Sequence, residues 1–292
     1  AIFNKAYGQT SSAPTAADVL RFALKLEYLE SFFYDQGLGQ AGQAATTLQT
    51  QLRGKISPTN LIALDKIRND EANHVKLLAG ALGANAGPIP SRTTTFDFTG
   101  GKGSMAGPFA DVFTNPATFL AVAQSLEDTG VRAYKGGAPY LMSADKNPAT
   151  SVLEIALNIH SVEARHASRL RTMRRAGASN DKASQAAIAG ADEASRTASP
   201  KSWVSFKDNG GAAPMYTAAI YGAGVAPAYT PSGIDFPDEA NVTQGGVNLQ
   251  TALASLNFPA SAFSEAFDEP LPVPTVLNIA NTFVVTGNNF FM

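Results

Sequence analysis

The sequence predicts a mainly α protein: a four-helix bundle with a long crossover, followed by a loop-rich C-terminal extension with little β. Three observations carry this. Two of the three histidines stand in one motif, Glu71-Ala72-Asn73-His74 and Glu163-Ala164-Arg165-His166. Each motif lies in a stretch of helical periodicity and follows another helical stretch that carries a glutamate. Beyond Pro200, by contrast, Gly, Pro, Asn and Thr break up short apolar runs.

The four helices follow from their start and stop signals. The first opens at Thr15, with Asp18 completing a capping box. Its apolar residues run from Leu20 to Phe33, ending near Tyr34. The second opens with Ser57-Pro58, a cap followed by proline at the first helical position, and Gly83 ends it. The third runs from Asn115-Pro116 to Gly136-Gly137. The fourth is expected to open at Asn147-Pro148 and to stop at Gly177. Residues 84–114 are too long for a simple hairpin and suit a crossover along the bundle. Residues 178–200 read as a frayed helix or a linker. Ser261–Phe267 reads as a helical turn and Thr282–Val285 as a strand. The expected organisation is a bundle over 1–177, with its core at 15–176, and an irregular region over 178–292 packed on it.

Helices one and three echo each other. Leu26-Glu27 is followed by Tyr34, and Leu126-Glu127 by Tyr134, at the same spacing. In each half a Glu/Tyr helix precedes a Glu-x-x-His helix, which reads as a duplicated helical hairpin.

Composition narrows the function. A net charge of −2 leaves no basic footprint for nucleic acid. No apolar run is long enough to span a bilayer as a helix. Cysteine is absent, so disulfides, thiolate ligands and cysteine nucleophiles are excluded. The start at Ala1 fits a processed precursor and a trimmed chain equally, while the Gly-, Ser- and Asn-rich last third suggests an exported protein, periplasmic or extracellular.

The motifs point to metal. Positions i and i+3 share a helix face, so each motif aims a carboxylate and an imidazole at one point. With ten glutamates in 292 residues, chance places Glu three positions before two of three histidines in roughly 1 chain in 300. The expected ligands are Glu27, Glu71, His74, Glu127, Glu163 and His166, a dinuclear carboxylate set inside a bundle. Four carboxylates balance two divalent cations, and hard oxygen donors with one nitrogen per ion suit Fe or Mn. Glu30 shares the face of Glu27 and is an alternative ligand or a neighbour of the site. Tyr34 and Tyr134 are candidate donors or redox residues, though core aromatics fit the same pattern. Asp70 and Asp128 adjoin ligands in sequence and point about 100° away. His160 could face the site, but reads more readily as a packing histidine. Gly100–Ser104 lacks the spacing of a phosphate loop.

With Leu26-Glu27-Tyr28-Leu29-Glu30, Asp70–His74, Ala133-Tyr134 and Val162–His166 in view, residues 15–176 resemble the ferritin-like superfamily. Within it they look most like the ferritin-like domain family that includes desiccation-related proteins. The resemblance implies a bundle with a di-iron or di-manganese centre whose six ligand positions are all filled here. It also implies stress-related redox chemistry on peroxide, oxygen or ferrous iron, of catalase, peroxidase or ferroxidase type. The alternative is a structural or partner-binding stress protein whose metal centre mainly stabilises it; iron storage in a cage is disfavoured by the C-terminal appendage. The expected partners are a small oxidant or metal ions, and copies of the chain assembling through the C-terminal region.

Overall fold

The structure, a computed structural model, describes residues 13–142, 151–182 and 200–291. Four long helices pack as two hairpins. In the first, α1 (Ala16–Leu38) lies on α3 (Pro58–Leu82), with the short α2 (Thr47–Arg53) between them in the chain. In the second, α4 (Pro116–Gly137) lies on α5 (Val152–Ala176). Contacts of α1 with α4 and of α3 with α5 join the hairpins into the bundle.

Local chemistry sets the helix starts. The Thr15 side chain accepts from the Asp18 N–H, and the Asp18 carboxylate accepts from the Thr15 N–H at 3.1 Å. Ser57 and Asn115 cap α3 and α4, each followed by proline at the first helical position. In α5 the outcome differs from expectation. Its described helix begins at Val152, where Ser151 accepts from the Glu154 N–H; Asn147-Pro148 lies outside the described residues. Of residues 178–200, expected as frayed helix or linker, 183–199 also lie outside them. The α2 helix was not anticipated. It is held by a Thr46/Gln49 capping box and buries only Leu52, so it carries no apolar stripe to read.

The helices differ in how they are covered. In α3 burial follows one stripe, Asn60, Leu64, Ile67, Glu71, His74, Leu78 and Leu82, the spacing of a helix with one face in a core. The Glu71–His74 motif therefore occupies core positions. By contrast α1 and α4 are buried on nearly every face, because the crossover and the C-terminal region cover their outer sides.

In the crossover, Phe96 and Phe98 bury beside Phe32 and Phe33. The buried Asp97 carboxylate accepts from the N–H groups of Thr99, Gly103 and Met105 at 2.8–3.1 Å. The glycine-rich loop at 100–104 thus wraps a carboxylate of its own chain. The expected strand at Thr282–Val285 is not formed. Asn281–Phe283 is a 3-10 turn, and Val284 makes a single antiparallel bridge with Phe96. A β-branched run alone does not make a strand where the crossover offers only one extended residue to pair with.

The C-terminal region has little sheet. Among the described residues its one hairpin pairs β1 (Thr243–Gln244) with β2 (Val247–Asn248). Four short helices accompany it: α6 (Pro214–Tyr221), α7 (Leu249–Ala252), α8 (Ser261–Ser264) within the expected helical turn, and α9 (Val273–Ala280). Both α6 and α9 pack on α4. A buried guanidinium ties them down. Arg132 of α4 donates to the carbonyls of Glu269 (2.8 Å), Gly222 (2.9 Å), Pro237 (2.8 Å), Pro270 (3.2 Å) and Ile220, and lies 2.8 Å from the Glu239 carboxylate. One side chain satisfies five backbone acceptors of the irregular region, which would otherwise be buried unpaired. No described helix is long and apolar enough to cross a membrane.

Candidate metal centre

All six expected ligand residues converge inside the bundle. Glu27, Glu71, Glu127 and Glu163 have no solvent exposure, and His74 and His166 are buried. Their ligand atoms form two overlapping groups, each within 4.8 Å: Glu27, Glu71, His74 and Glu163, and Glu71, Glu127, Glu163 and His166. Each group holds one imidazole and one private glutamate, while Glu71 and Glu163 belong to both. The Nδ1 of His74 lies 3.2 Å from Glu27 and from Glu71, and 3.3 Å from Glu163. The Nδ1 of His166 lies 2.8 Å from Glu71 and 3.2 Å from Glu127.

The electrostatics follow from packing like charges in a dry core. Burial, and then the neighbouring glutamates, hold the Glu163 carboxyl well above the usual carboxylate range. The same causes push Glu71 up to about 7. Burial would lower both histidines, but hydrogen bonds and charge from the surrounding glutamates outweigh it and raise them.

Glu30 joins this cluster as a fifth carboxylate. It is buried, its Oε2 has no hydrogen-bond partner, and burial followed by the Glu163 charge raises its pKa strongly. It belongs to neither four-residue group, so Glu27 rather than Glu30 stands with His74. Space for it comes from Gly130. A Cβ there would sit 2.8 Å from Glu163 Oε2 and 3.2 Å from Glu30 Oε1. Gly130 follows Glu127 by three residues, as Glu30 follows Glu27, so one duplicated position holds a carboxylate and the other vacates the space. The Gly130→Ala protein is expected to fold, since overpacking by one methyl costs about 1–3 kcal/mol. Its displaced Glu163 should weaken divalent-metal binding by roughly tenfold or more. Metal titration by calorimetry checks this, and unchanged affinity would place Glu163 outside the binding set.

The tyrosines cross between halves. Tyr34 of α1 donates to Glu127 of α4 at 2.5 Å, and Tyr134 of α4 donates to Glu27 of α1. Burial, then the charge of the accepting glutamate, raises both phenols well above their ordinary value, so they stay protonated donors. Asp70 has a role that helix geometry alone does not show. Its Oδ2 lies 3.2 Å from His166 Nε2, so it orients the ring and leaves Nδ1 for the cluster. Asp128 turns away to pair with Arg171. His160 also stands apart: burial lowers its pKa, and the charges that act on it are Asp268 and Lys135.

A family model described as the ferritin-like domain matches residues 15–176. The chain belongs to the ferritin-like domain family. No relative among curated proteins matches it. The matched span begins at the cap of α1 and ends with the last residue of α5. In this ferritin-like domain the buried Glu and His groups can hold metal ions, and two observations fit them to that task. Glu163 Oε2 and Glu30 Oε2 are buried without a hydrogen bond, although their surroundings are built of charged groups. The donor set of carboxylate oxygens with one imidazole per group suits hard divalent ions.

Proposed function

We propose that this ferritin-like chain holds a dinuclear iron or manganese centre through Glu27, Glu71, His74, Glu127, Glu163 and His166, and uses it for redox chemistry on peroxide, dioxygen or ferrous iron. The observation that carries this is the overlap of the two groups, with Glu71 and Glu163 common to both. Two shared carboxylates and one private carboxylate and imidazole on each side make a site for a pair of ions. When bound, such ions supply the redox change and the Lewis acidity.

The residues of the chain do the rest. Glu71 and Glu163, common to both groups, would hold both ions. Tyr34 and Tyr134 hold Glu127 and Glu27 in place and keep a proton at each phenolic oxygen. Asp70 fixes His166. The buried walls exclude bulk water, which strengthens every charge interaction inside. Glu30 supplies a fifth carboxylate beside Glu163, able to follow a change in cation charge.

The test is elemental analysis of the full chain from its native source, anomalous diffraction at the Mn and Fe edges, and assays with hydrogen peroxide, dioxygen and Fe(II). Two ions per chain and turnover of one of these substrates are expected. Absence of metal after loading with either ion would sink the assignment.

A second reading keeps the metal and drops the turnover: a structural or partner-binding stress protein stabilised by its centre. The complete burial of the four shared and private glutamates favours it, because a site meant for stability needs no entrance. Two bound ions without turnover of any of the three substrates would select it. A desiccation-type stress role and an exported location complete the proposal, and fractionation of the source cells checks the latter.

A further inference from the structure

The duplicated halves differ in how they surround their tyrosines. Counting from Glu27/Glu127, the α1 positions Tyr34, Phe33 and Gly37 correspond to Tyr134, Ala133 and Gly137 of α4, and Val19 corresponds to Phe119. Around Tyr34 the space is filled. Phe33 and Phe119 stack at 4.8 Å between centroids, and Phe119 lies edge-on to Tyr34 at 6.2 Å. A Cβ on Gly37 would fall 2.4 Å from the Phe119 ring, so glycine is what lets that ring seat.

Around Tyr134 the same positions are small. Val19 faces Gly137, with Cγ1 3.1 Å from where its Cβ would be, and Ala133 stands in place of the stacked phenylalanine. A third position shrinks as well. Seven residues before Glu71 the chain has Leu64, and seven before Glu163 it has Ala156. Phe22 and Val273 fill part of the difference. What remains is an apolar cavity of about 20 Å³ lined by Val19, Ala23, Leu26, Ala133, Tyr134 and Ala156.

A volume above roughly 10–15 Å³ has room for one molecule the size of water, but water itself stays only with two to four polar partners. Here Tyr134 lends its hydroxyl proton to Glu27, Tyr140 brings the one other hydroxyl of the lining, fewer polar partners than a water needs, and the remaining side chains are hydrocarbon. Apolar cavities stay dry, and larger ones take up xenon or other apolar molecules. One wall is the Tyr134 ring, whose far end bonds a carboxylate of the cluster.

We propose that this cavity is a binding site for a small apolar gas, dioxygen, next to the carboxylate cluster. The binding site stands on the cavity itself, and its role in supplying the centre rests on the redox reading above. It makes the centre asymmetric: dioxygen arrives along the Tyr134 side, and the Phe33–Phe119 stack seals the Tyr34 side. Hydrogen peroxide, which needs hydrogen bonds, gains nothing from the cavity.

Xenon-pressurised crystals of the metal-free and Fe(II)-loaded protein test the site, with Val19→Phe and Ala156→Leu as two independent fillings. A xenon peak beside Tyr134 in the unaltered protein, lost in the variants, is expected. Dioxygen consumption by the Fe(II)-loaded variants should fall about tenfold, equivalent to roughly 1.4 kcal/mol on the barrier, while oxidation by added hydrogen peroxide keeps its rate. No xenon peak in the unaltered protein overturns the site. Equal slowing with both oxidants, or no slowing with dioxygen once the cavity is filled, overturns its supply role. A loaded protein inert to both oxidants overturns the redox reading instead, and the xenon peak then decides the gas site alone.

Discussion

Metal-free protein should lose stability as pH rises from 5 to 8, and divalent metal should remove most of that loss. Glu30, Glu71 and Glu163 all have folded pKa values above their ordinary one, because burial and mutual repulsion disfavour their charged forms. His74 and His166 are raised by the carboxylates around them, against the opposing effect of burial. In each case the folded chain binds more protons than the unfolded chain over this range. Stability therefore falls with pH, by linkage. The carboxyl contributions are complete below the unfolded value of 4.5. That of Glu71 is lost as pH passes about 7, a change of about 3 kcal/mol at 1.36 kcal/mol per unit. The histidine contributions begin to fall above their unfolded value of 6.5 and add to the trend.

Metal takes the place of these protons. It needs deprotonated carboxylates and neutral imidazoles, so its stabilisation grows with pH. Glu239, pushed up to about 8, and Asp208, pushed up to about 6, are raised first by burial and carry the same sign outside the cluster. The loaded protein therefore keeps a smaller slope of its own and serves as the baseline. Mn(II) or Fe(II) should raise the melting temperature at pH 8 by roughly 6–12 °C more than at pH 5, taking 2–4 °C per kcal/mol for a chain of this size class. Scanning calorimetry at both pH values, with and without metal, is the measurement. A metal-free melting temperature that is flat or rises over this interval would show that the cluster is not a strained set of protonated carboxyls.

Local features were legible in the sequence, and features between elements were not. The starts of α1, α3 and α4 were readable because caps act over three residues, as Thr15 with Asp18 shows. The six convergent Glu and His residues were readable because i and i+3 share a face and because the pattern occurs twice. The crossing of Tyr34 to Glu127 was not readable, because spacing along α1 says nothing about how closely α4 approaches. The same holds for Asp70. Its turn of about 100° from Glu71 kept it out of the cluster, but only the position of α5 brings the second nitrogen of His166 within its reach. The start of α5 misled for a different reason. Asn147-Pro148 offered the same cap-then-proline signal as α3 and α4, while the cap in the described structure is Ser151, whose partner Glu154 was also present in the sequence. The strand expected at Thr282–Val285 failed because strand formation is decided by partners, and the pairing here stops at one bridge, Phe96 with Val284. The Glu30/Gly130 difference was visible in the aligned halves, but its meaning depends on Glu163 reaching the same space from α5.

Replacing Arg171 by Met should cost about 3–5 kcal/mol, the range for removing one member of a buried ion pair. Arg171 is 1% exposed. Its guanidinium meets Asp128 at 2.6 Å and Asp208 at 2.9 Å, and Tyr221 donates to the same Asp128 oxygen at 2.5 Å. The cluster joins α4, α5, α6 and the segment before α6. Without this cation, two buried carboxylates remain with only the charge of Arg174 still acting on both, which favours protonation of one of them. Asp208 already sits near 6, raised by burial and held down by Arg171. Its folded value would therefore climb further in the variant. By the same sign argument as above, the cost of the substitution should be largest near pH 8 and smaller near pH 5, where Asp208 protonates readily. Arg171→Met/Asp208→Asn should recover part of the loss at pH 8 and little at pH 5, which separates charge burial from lost packing. Urea unfolding of the metal-loaded proteins at both pH values measures it. Because Asp128 directly follows Glu127, a shift of α4 caused by the unpaired carboxylate should also lower metal affinity, and the Asp208 rescue should restore it. A cost below about 1 kcal/mol at pH 8, within the range of exposed pairs, would show that the C-terminal region is held to the bundle by Arg132 and apolar packing instead.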